Sequence, residues 1–189
     1  FLKFMNDALD RFVDDERVIS IHGYLPPLDG VMPEAFCLQG ADCWGWATWR
    51  RGWKLFDPDG RSLLNKLHES NLVNDFDLDG AYGYSNMLKA QIQHKIDSWA
   101  IRWHASAFVA QKLTVFPGRS LVFNIGFDNS GRHCSVEEVW DTQLSTSPIE
   151  LRELRVEINS YARQKFINFF YQQMSFRRKV FFTLNKLFN

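Results

Sequence analysis

The sequence predicts an α/β domain in which short buried strands mix with helices. Apolar residues recur at helical spacing over residues 1–12. Short apolar runs, each of strand length, follow at residues 18–21, 36–38 and 113–116. Because these elements do not alternate strictly, we expect a mixed arrangement that forms part of an α/β domain.

The remaining segments are assigned from periodicity and from turn residues. Residues 46–55 are predicted to be helical and to end at the Asp57-Pro58-Asp59-Gly60 turn. From about residue 150 the pattern is helical again, with a break near Met174. The other predictions are helices over 62–68, 85–95 and 99–112, a polar loop over 74–80, and an extended piece over 120–124.

Length and charge predict two units of different character. The 189 residues are 46% hydrophobic, which suits a globular domain with a real core. All 22 acidic residues lie at or before Glu157, together with 16 of the 22 basic ones, so residues 1–157 carry a formal charge of −6 and the rest +6. We therefore expect a domain over residues 1–145 and a basic amphipathic helical tail over 146–189.

The cysteines and the apolar runs indicate which cellular compartment suits the chain. Cys37, Cys43 and Cys134 form neither an even set nor a C-x-x-C pair, which favours free thiols in a reducing compartment. No secretory leader is recognised, and no uninterrupted apolar run reaches about 18 residues. The chain opens within an amphipathic pattern, so we expect a fragment of a longer protein.

Six of the seven tryptophans lie between Trp44 and Trp103, and four fall in the run from Trp44 to Trp53. Tryptophan combines a large apolar face with one N–H donor, so a dense run interrupted by Gly and Arg is difficult to use as ordinary core. The run predicts the wall of a site for a flat ligand that is both polar and apolar, such as a sugar ring or a base.

Two acidic segments have alternative interpretations. The Asp75-Phe76-Asp77-Leu78-Asp79-Gly80 string resembles the start of a calcium loop and also holds two D-x-D strings, but Asn86 stands where the bidentate Glu belongs. A solvated loop that caps the following helix is the favoured interpretation. Asp97, beside Trp99 and Trp103, is either a general base or an acid stabilised at a helix N-terminus.

The loop over residues 124–134 and the tail also offer candidate contacts. Glycines near His133 allow a ligand to approach the backbone, although a lone loop histidine is more often simply a surface residue. After Glu157 the tail interleaves six cations with phenylalanines, which favours an anionic membrane face, or else a helix packed on protein. Because the body is acidic, we expect no nucleic-acid ligand.

Four segments, taken together, carry a family resemblance. They are residues 1–24, residues 43–49 (Cys-Trp-Gly-Trp-Ala-Thr-Trp), residues 97–103 (Asp-Ser-Trp-Ala-Ile-Arg-Trp) and residues 124–133 with their Asn-Ile-Gly-Phe-Asp start. In this order they resemble bacterial GT-A-type glycosyltransferases of polysaccharide biosynthesis and, more distantly, the N-acetylglucosaminyltransferase I family. The resemblance covers roughly residues 1 to 140. It implies the C-terminal, acceptor-side part of a Rossmann-like GT-A domain.

The resemblance also implies roles for individual residues. Asp97 would be the general base, and His133 would be a metal ligand near the donor diphosphate. The substrate-binding residues would be Trp44, Gly45, Trp46, Trp49, Trp99, Arg102 and Arg132. The main carboxylate ligands of the Mn²⁺ or Mg²⁺ ion would lie upstream of Phe1, in the half that binds the nucleotide-sugar.

The function expected from the resemblance is sugar transfer. A nucleotide-sugar would be the donor, a surface polysaccharide or lipid-linked glycan the acceptor, and the reaction would be metal-dependent and inverting. The tail would hold the enzyme at the cytoplasmic face of the inner membrane. A non-catalytic carbohydrate-binding or membrane-docking module is the alternative, because a tryptophan platform alone suffices for it.

Overall fold

A computed structural model describes residues 1–123, 125, 140 and 142–174. The fold is mixed α/β, with one four-stranded mixed sheet and helices on both of its faces. The strands are β1 (Val18–His22), β2 (Ala35–Gln39), β3 (Trp46–Thr48) and β4 (Leu113–Pro117). The helices are α1 (Leu2–Arg11), α2 (Arg50–Trp53), α3 (Gly60–Glu69), α4 (Val73–Phe76), α5 (Tyr84–Ile92), α6 (Trp99–Val109) and α7 (Ser160–Gln173).

The strand order across the sheet is β2-β4-β1-β3. The two central strands, β1 and β4, run parallel, and both edge strands pair antiparallel with their neighbours. Every residue of β1 and β4 is buried, as expected for strands covered on both faces. Beyond the outer edge of β2, Cys37 forms an isolated bridge with Ile158, and the Asn159 N–H donates to the Cys37 carbonyl at 2.9 Å.

Helices α1 and α6 contribute to different core clusters on β1. The buried side chains of Phe4, Met5 and Ala8 on α1 form one cluster with Val18 and Ile21. In a second cluster, Ile19 of β1 meets Trp103 and Ala107 of α6. The Oγ of Ser98 caps α6 by accepting from the Ile101 N–H at 3.3 Å. The capped start of α6 is therefore fixed relative to the centre of the sheet.

Helix α7 packs on β2 and β4 and belongs to the same core as the rest of the chain. Its Phe166, Ile167 and Phe170 are buried together with Phe36 and Phe116 of the sheet. Phe36 and Phe116 stack with ring centroids 5.6 Å apart, and Phe166 meets Phe116 edge-on at 5.9 Å. The expected domain boundary between residues 145 and 146 therefore precedes a helix, α7, that packs into the same core.

The prediction of a helix over residues 46–55 was wrong. Residues Trp46 to Thr48 form β3, and only Arg50–Trp53 is helical. The Thr48 hydroxyl donates to the Ile19 carbonyl at 2.6 Å, so a side chain reinforces the pairing of β3 with β1. Aromatic and β-branched residues favour strands, and pairing with a buried neighbour overrides the helical spacing of the tryptophans.

Most other elements agree with the sequence predictions within a few residues. The helices predicted at the N-terminus and over 62–68, 85–95 and 99–112 are confirmed, as are the three predicted strands. The first three residues of the predicted polar loop over 74–80 belong instead to the single turn of α4, and residues 120–123 form no strand. The second helix of the tail falls outside the described residues. Among those residues, no helix is both long enough and apolar enough to cross a bilayer.

Candidate functional site

One large concavity among the described residues is an aromatic cleft with a volume of about 380 Å³. Its walls come from the end of β1, the connection between β2 and β3, helix α5, the start of α6, and α7. A second cavity of about 250 Å³ adjoins it, and we call this the side chamber. Six residues line both cavities and mark the place where the two meet, and three of them, Asp42, Tyr84 and His104, have polar side chains.

Aromatic rings form one wall of the cleft. The ring of Trp44 meets Tyr24 edge-on with centroids 4.7 Å apart, and it meets Trp140 in the same way at 5.9 Å. The Tyr24 hydroxyl donates to the carbonyl oxygen of Trp140 at 2.6 Å, which holds the two segments together. Apolar faces with a few polar groups nearby are the usual lining of a small-molecule site.

His22 and Asp42 supply polar groups to the lining of the cleft. The side chain of His22 is fully buried, and neither ring nitrogen has a hydrogen-bond partner among the described residues. Its Nε2 lies 3.7 Å from Oδ2 of Asp42, which is longer than a hydrogen bond. Burial lowers the pKa of His22, and the Asp42 carboxylate opposes this shift only in part. The imidazole is therefore neutral at pH 7.

His104 and Tyr84 also line the cleft, together with Asp42. Nδ1 of His104 is 2.8 Å from the Ala41 carbonyl oxygen, and the ring centroids of His104 and Tyr84 are 4.4 Å apart. Burial lowers the pKa of His104, although the hydrogen bond to Ala41 acts in the opposite direction. Burial raises the pKa of Tyr84. Gly40 has φ +95°, and a Cβ there would collide with the His104 ring. The cleft thus surrounds one carboxylate with neutral polar groups.

The predicted substrate-binding tryptophans occupy three different environments. Trp44 lines the cleft. Trp46 and Trp99 belong to a four-indole cluster with Trp53 and Trp103, whose neighbouring centroids lie 5.4 to 6.1 Å apart. Trp49 lies instead under the guanidinium of Arg51, 4.0 Å from the ring centroid. Within the tryptophan run, Trp44 therefore forms part of the cleft wall, and the other tryptophans pack against neighbouring side chains.

Gly45 and Arg102 hold segments in place near the cleft. Gly45 has φ +58°, and a Cβ there would collide with Val122. A side chain at this turn between Trp44 and Trp46 would therefore be strained. Arg102 donates from Nη1 to the Pro58 carbonyl at 3.2 Å, and its guanidinium carbon is 5.9 Å from the Phe56 ring centroid. It thereby ties α6 to the turn before α3.

Asp97 lies directly before the cap of α6. It is exposed, and it makes no hydrogen bond or ion pair with the described residues. The next residue, Ser98, lines the cleft together with Ala100 and Ile101. Asp97 is therefore next to the cleft in the chain and accessible to solvent. Arg132 and His133, the other two predicted site residues, lie outside the described residues.

The acidic loop after α4 has a structural role. Asp77 accepts hydrogen bonds from the N–H and hydroxyl of Ser85, at 2.6 and 2.5 Å, at the start of α5. Oxygens of Asp75 and Asp79 lie 3.3 and 2.6 Å from Nη2 of Arg163. Asp77 thus caps the following helix, as the favoured interpretation expected, whereas Asp75 and Asp79 form ion pairs with Arg163 and are not merely solvated.

Comparisons with protein-family models, curated proteins and solved structures found no match. The site is accordingly interpreted from its own residues. Within the described ranges, no group of three or more His, Cys, Asp or Glu residues is arranged to hold a metal ion. The expected ligands of the Mn²⁺ or Mg²⁺ ion are His133, which lies outside the described residues, and carboxylates upstream of Phe1. The metal therefore stays a prediction, and we derive no chemical step through it.

Sequence reasoning missed the set formed by His22, Asp42, Tyr84 and His104. The histidines are scattered along the chain and share no metal-ligand spacing. Four separate segments bring the set together: the end of β1, the loop after β2, and the helices α5 and α6. The only local signal was Gly40-Ala41-Asp42, which places a carboxylate directly after a buried strand.

Proposed function

We propose that the chain is the acceptor-side part of a GT-A-type glycosyltransferase. It would transfer a sugar from a nucleotide-sugar to a surface-polysaccharide or lipid-linked glycan, with inversion at the anomeric carbon. The observation that carries the proposal is the aromatic cleft, whose lining includes Ser98, the residue that directly follows the exposed Asp97 in the chain. The four-segment resemblance gives the reaction class.

The lining of the cleft supports a carbohydrate ligand. Sugar rings have apolar C–H faces and polar hydroxyl edges, and the cleft offers aromatic faces next to His22 and Asp42. The volume of about 380 Å³ lies in the range of small-molecule sites. Indole and phenol rings also make large contact areas while few rotatable bonds are fixed, which suits a weakly apolar ligand.

Asp97 is the proposed general base. Its carboxylate would take the proton of the acceptor hydroxyl while that oxygen forms a bond to the anomeric carbon of the donor sugar. The bond from that carbon to the diphosphate breaks, and the nucleoside diphosphate leaves with the electron pair. Because Asp97 is exposed and unpaired among the described residues, its carboxylate is free to meet an incoming hydroxyl.

The proposed location is the cytoplasmic face of the inner membrane. In α7, the aromatic residues Phe166, Phe169 and Phe170 are buried against the sheet rather than exposed on a helix face. A membrane contact by the basic tail would therefore be made by residues 175–189, which lie outside the described residues. Four of the six tail cations fall in that range.

The test is a transfer assay on the whole reading frame that encodes the chain. Nucleotide-sugars are supplied with Mn²⁺ or Mg²⁺ and a membrane extract that contains lipid-linked glycans. Asp97→Asn should lower kcat by about 10²- to 10⁴-fold. The exposed Asp10→Asn, a matched control on α1, should keep full activity. No metal-dependent transfer, or equal rates for Asp97→Asn and the unaltered protein, would refute the proposal.

The second candidate is a non-catalytic carbohydrate-binding module. It is favoured by one observation, namely that the described residues by themselves form an aromatic cleft. It predicts that the chain binds glycans without nucleotide or metal. Trp44→Ala should abolish this binding because Trp44 lines the cleft, whereas Trp49→Ala should leave it intact.

A further inference from the structure

The buried imidazole of His22 is an unusual feature of the aromatic cleft. It has no exposed area, yet Nδ1 and Nε2 both lack a hydrogen-bond partner among the described residues. Buried polar atoms in folded proteins nearly always have a hydrogen-bond partner, so two unpaired nitrogens on one buried ring are unusual. His22 also lines the cleft, where a ligand can supply the missing partner.

The surroundings of His22 hold its ring in place. The ring packs against Phe116 with centroids 4.9 Å apart and meets Tyr24 edge-on at 6.3 Å. His22 ends β1, where its Cα pairs with that of Trp46 on β3. The imidazole is therefore positioned before any ligand arrives, which lowers the entropic cost of binding.

Asp42 complements His22 across a short gap. The separation of 3.7 Å between Nε2 and Oδ2 is too long for a direct bond, but it is a distance that one oxygen, about 2.8 Å from each atom, can bridge. A neutral imidazole can donate one hydrogen bond, and a carboxylate only accepts. This donor-and-acceptor pair matches a hydroxyl group, which accepts from one partner and donates to the other.

We propose that His22 and Asp42 together hold one hydroxyl group of a sugar ring that lies against the aromatic wall of the cleft. The inference deepens the proposed function, on which it rests, by naming the residues that would select the glycan. A methylated ammonium group is the rival ligand, because aromatic rings beside a carboxylate also attract cations. The unpaired nitrogens of His22 favour the hydroxyl, since a quaternary ammonium would leave them unpaired.

The test is a binding titration of the 189-residue chain by NMR, without nucleotide or metal. The probes are the methyl glycosides of glucose, galactose, mannose and N-acetylglucosamine, with choline as the cationic rival. Imidazole ¹⁵N signals report directly on His22. We expect at least one glycoside to bind and to shift the His22 nitrogens. Binding by choline alone, or by none of the probes, overturns the inference.

Substitutions then identify the hydroxyl contact. His22→Phe keeps an aromatic ring against Phe116 and removes both nitrogens, and Asp42→Asn removes the charge of a half-exposed residue. Each should weaken glycoside binding by about tenfold or more. His68→Phe and Asp10→Asn, at exposed positions on α3 and α1, are the matched controls and should bind like the unaltered chain.

Deoxy-glycosides complete a double-mutant cycle. Removal of the hydroxyl held by the pair should weaken binding to the unaltered chain but not to His22→Phe or Asp42→Asn. If both variants bind every glycoside as the unaltered chain does, the inference is wrong, whatever the transfer assay shows. Conversely, glycoside binding with this pattern but no sugar transfer would refute the proposed function and leave the inference standing.

Discussion

Nη2 of Arg163 lies 2.6 Å from Oδ1 of Asp79, and this ion pair joins α7 to the loop after α4. Each of the two side chains is little more than a quarter exposed, and the same guanidinium also reaches Asp75 at 3.3 Å. The hydrogen bond to Asp79 raises the pKa of Arg163. The loop that contains the two D-x-D strings therefore anchors α7.

Arg163→Met should lower the free energy of unfolding by about 1 to 3 kcal/mol, because the largely buried Asp79 and the more exposed Asp75 lose their cation. Urea denaturation followed by circular dichroism measures this change. Arg152→Met is the matched control, since Arg152 is 86% exposed in its pair with Glu150 and should contribute less than about 0.5 kcal/mol. Equal effects of the two substitutions would show that the anchor is unimportant.

Trp103 should be important for its volume and not for its N–H group. The side chain is fully buried in the four-indole cluster, and its Nε1 has no hydrogen-bond partner among the described residues. Trp103→Ala should cost about 3 to 5 kcal/mol in unfolding free energy, and Trp103→Phe about 1 to 3 kcal/mol. Trp99→Phe, at a position 41% exposed, should cost less than about 1 kcal/mol. A phenylalanine at 103 as costly as alanine would contradict this account.

The two buried histidines should make the protein less stable in mild acid. Burial lowers the pKa of His22 and of His104 below the ordinary value of 6.5, so the unfolded chain binds more protons once the pH falls below that value. The unfolding free energy should therefore be fully retained above about pH 6.5. Below it, the loss should reach about 1.4 kcal/mol per pH unit for each histidine.

Urea titrations at several pH values between 5 and 8 measure this slope. This pH range lies above the ordinary pKa values of carboxyl groups, so the slope reports on the histidines rather than on the aspartates and glutamates. His22→Phe should remove about half of the slope because only His104 then remains buried. A stability that stays flat from pH 8 to pH 5 would be incompatible with two neutral buried imidazoles.

Cys43 should be a slow nucleophile although it lines the cleft. Burial, assisted by Asp42, raises the pKa of its thiol to about 12, and burial likewise raises the pKa of Cys37 to about 12. At pH 8 the thiolate fraction is then about a thousandfold smaller than for a thiol with a pKa of 9. Iodoacetamide labelling of the Cys134→Ser variant, read by mass spectrometry, should show negligible modification until urea is added. Rapid labelling of Cys43 in the folded chain would contradict the burial.

The elements that the sequence predicted correctly are those with a clear period. The amphipathic α1 and the buried strands β1, β2 and β4 follow from local patterns that tertiary contacts reinforce. The segment that forms β3 was mispredicted because Trp46 to Thr48 became extended only by pairing with β1. Its tryptophans otherwise follow a helical spacing, which the partner strand overrides.

The candidate site was less accessible to sequence reasoning. Trp44 was predicted because tryptophan is distinctive on its own, and it does line the cleft. His22 and Asp42 are common residues twenty positions apart, and only the path of the chain from β2 to β3 brings them within 3.7 Å. Such a pair depends on long-range geometry that no local spacing encodes.

The bridge between Cys37 and Ile158 has a consequence for assembly. An edge strand with free N–H and C=O groups is a template on which another chain can add a strand. Here residues 158 and 159 already occupy part of the outer edge of β2, where the Asn159 N–H donates to the Cys37 carbonyl. A foreign strand would have to displace them. Aggregation by sheet extension is thereby directed to the opposite edge, where β3 offers only three residues.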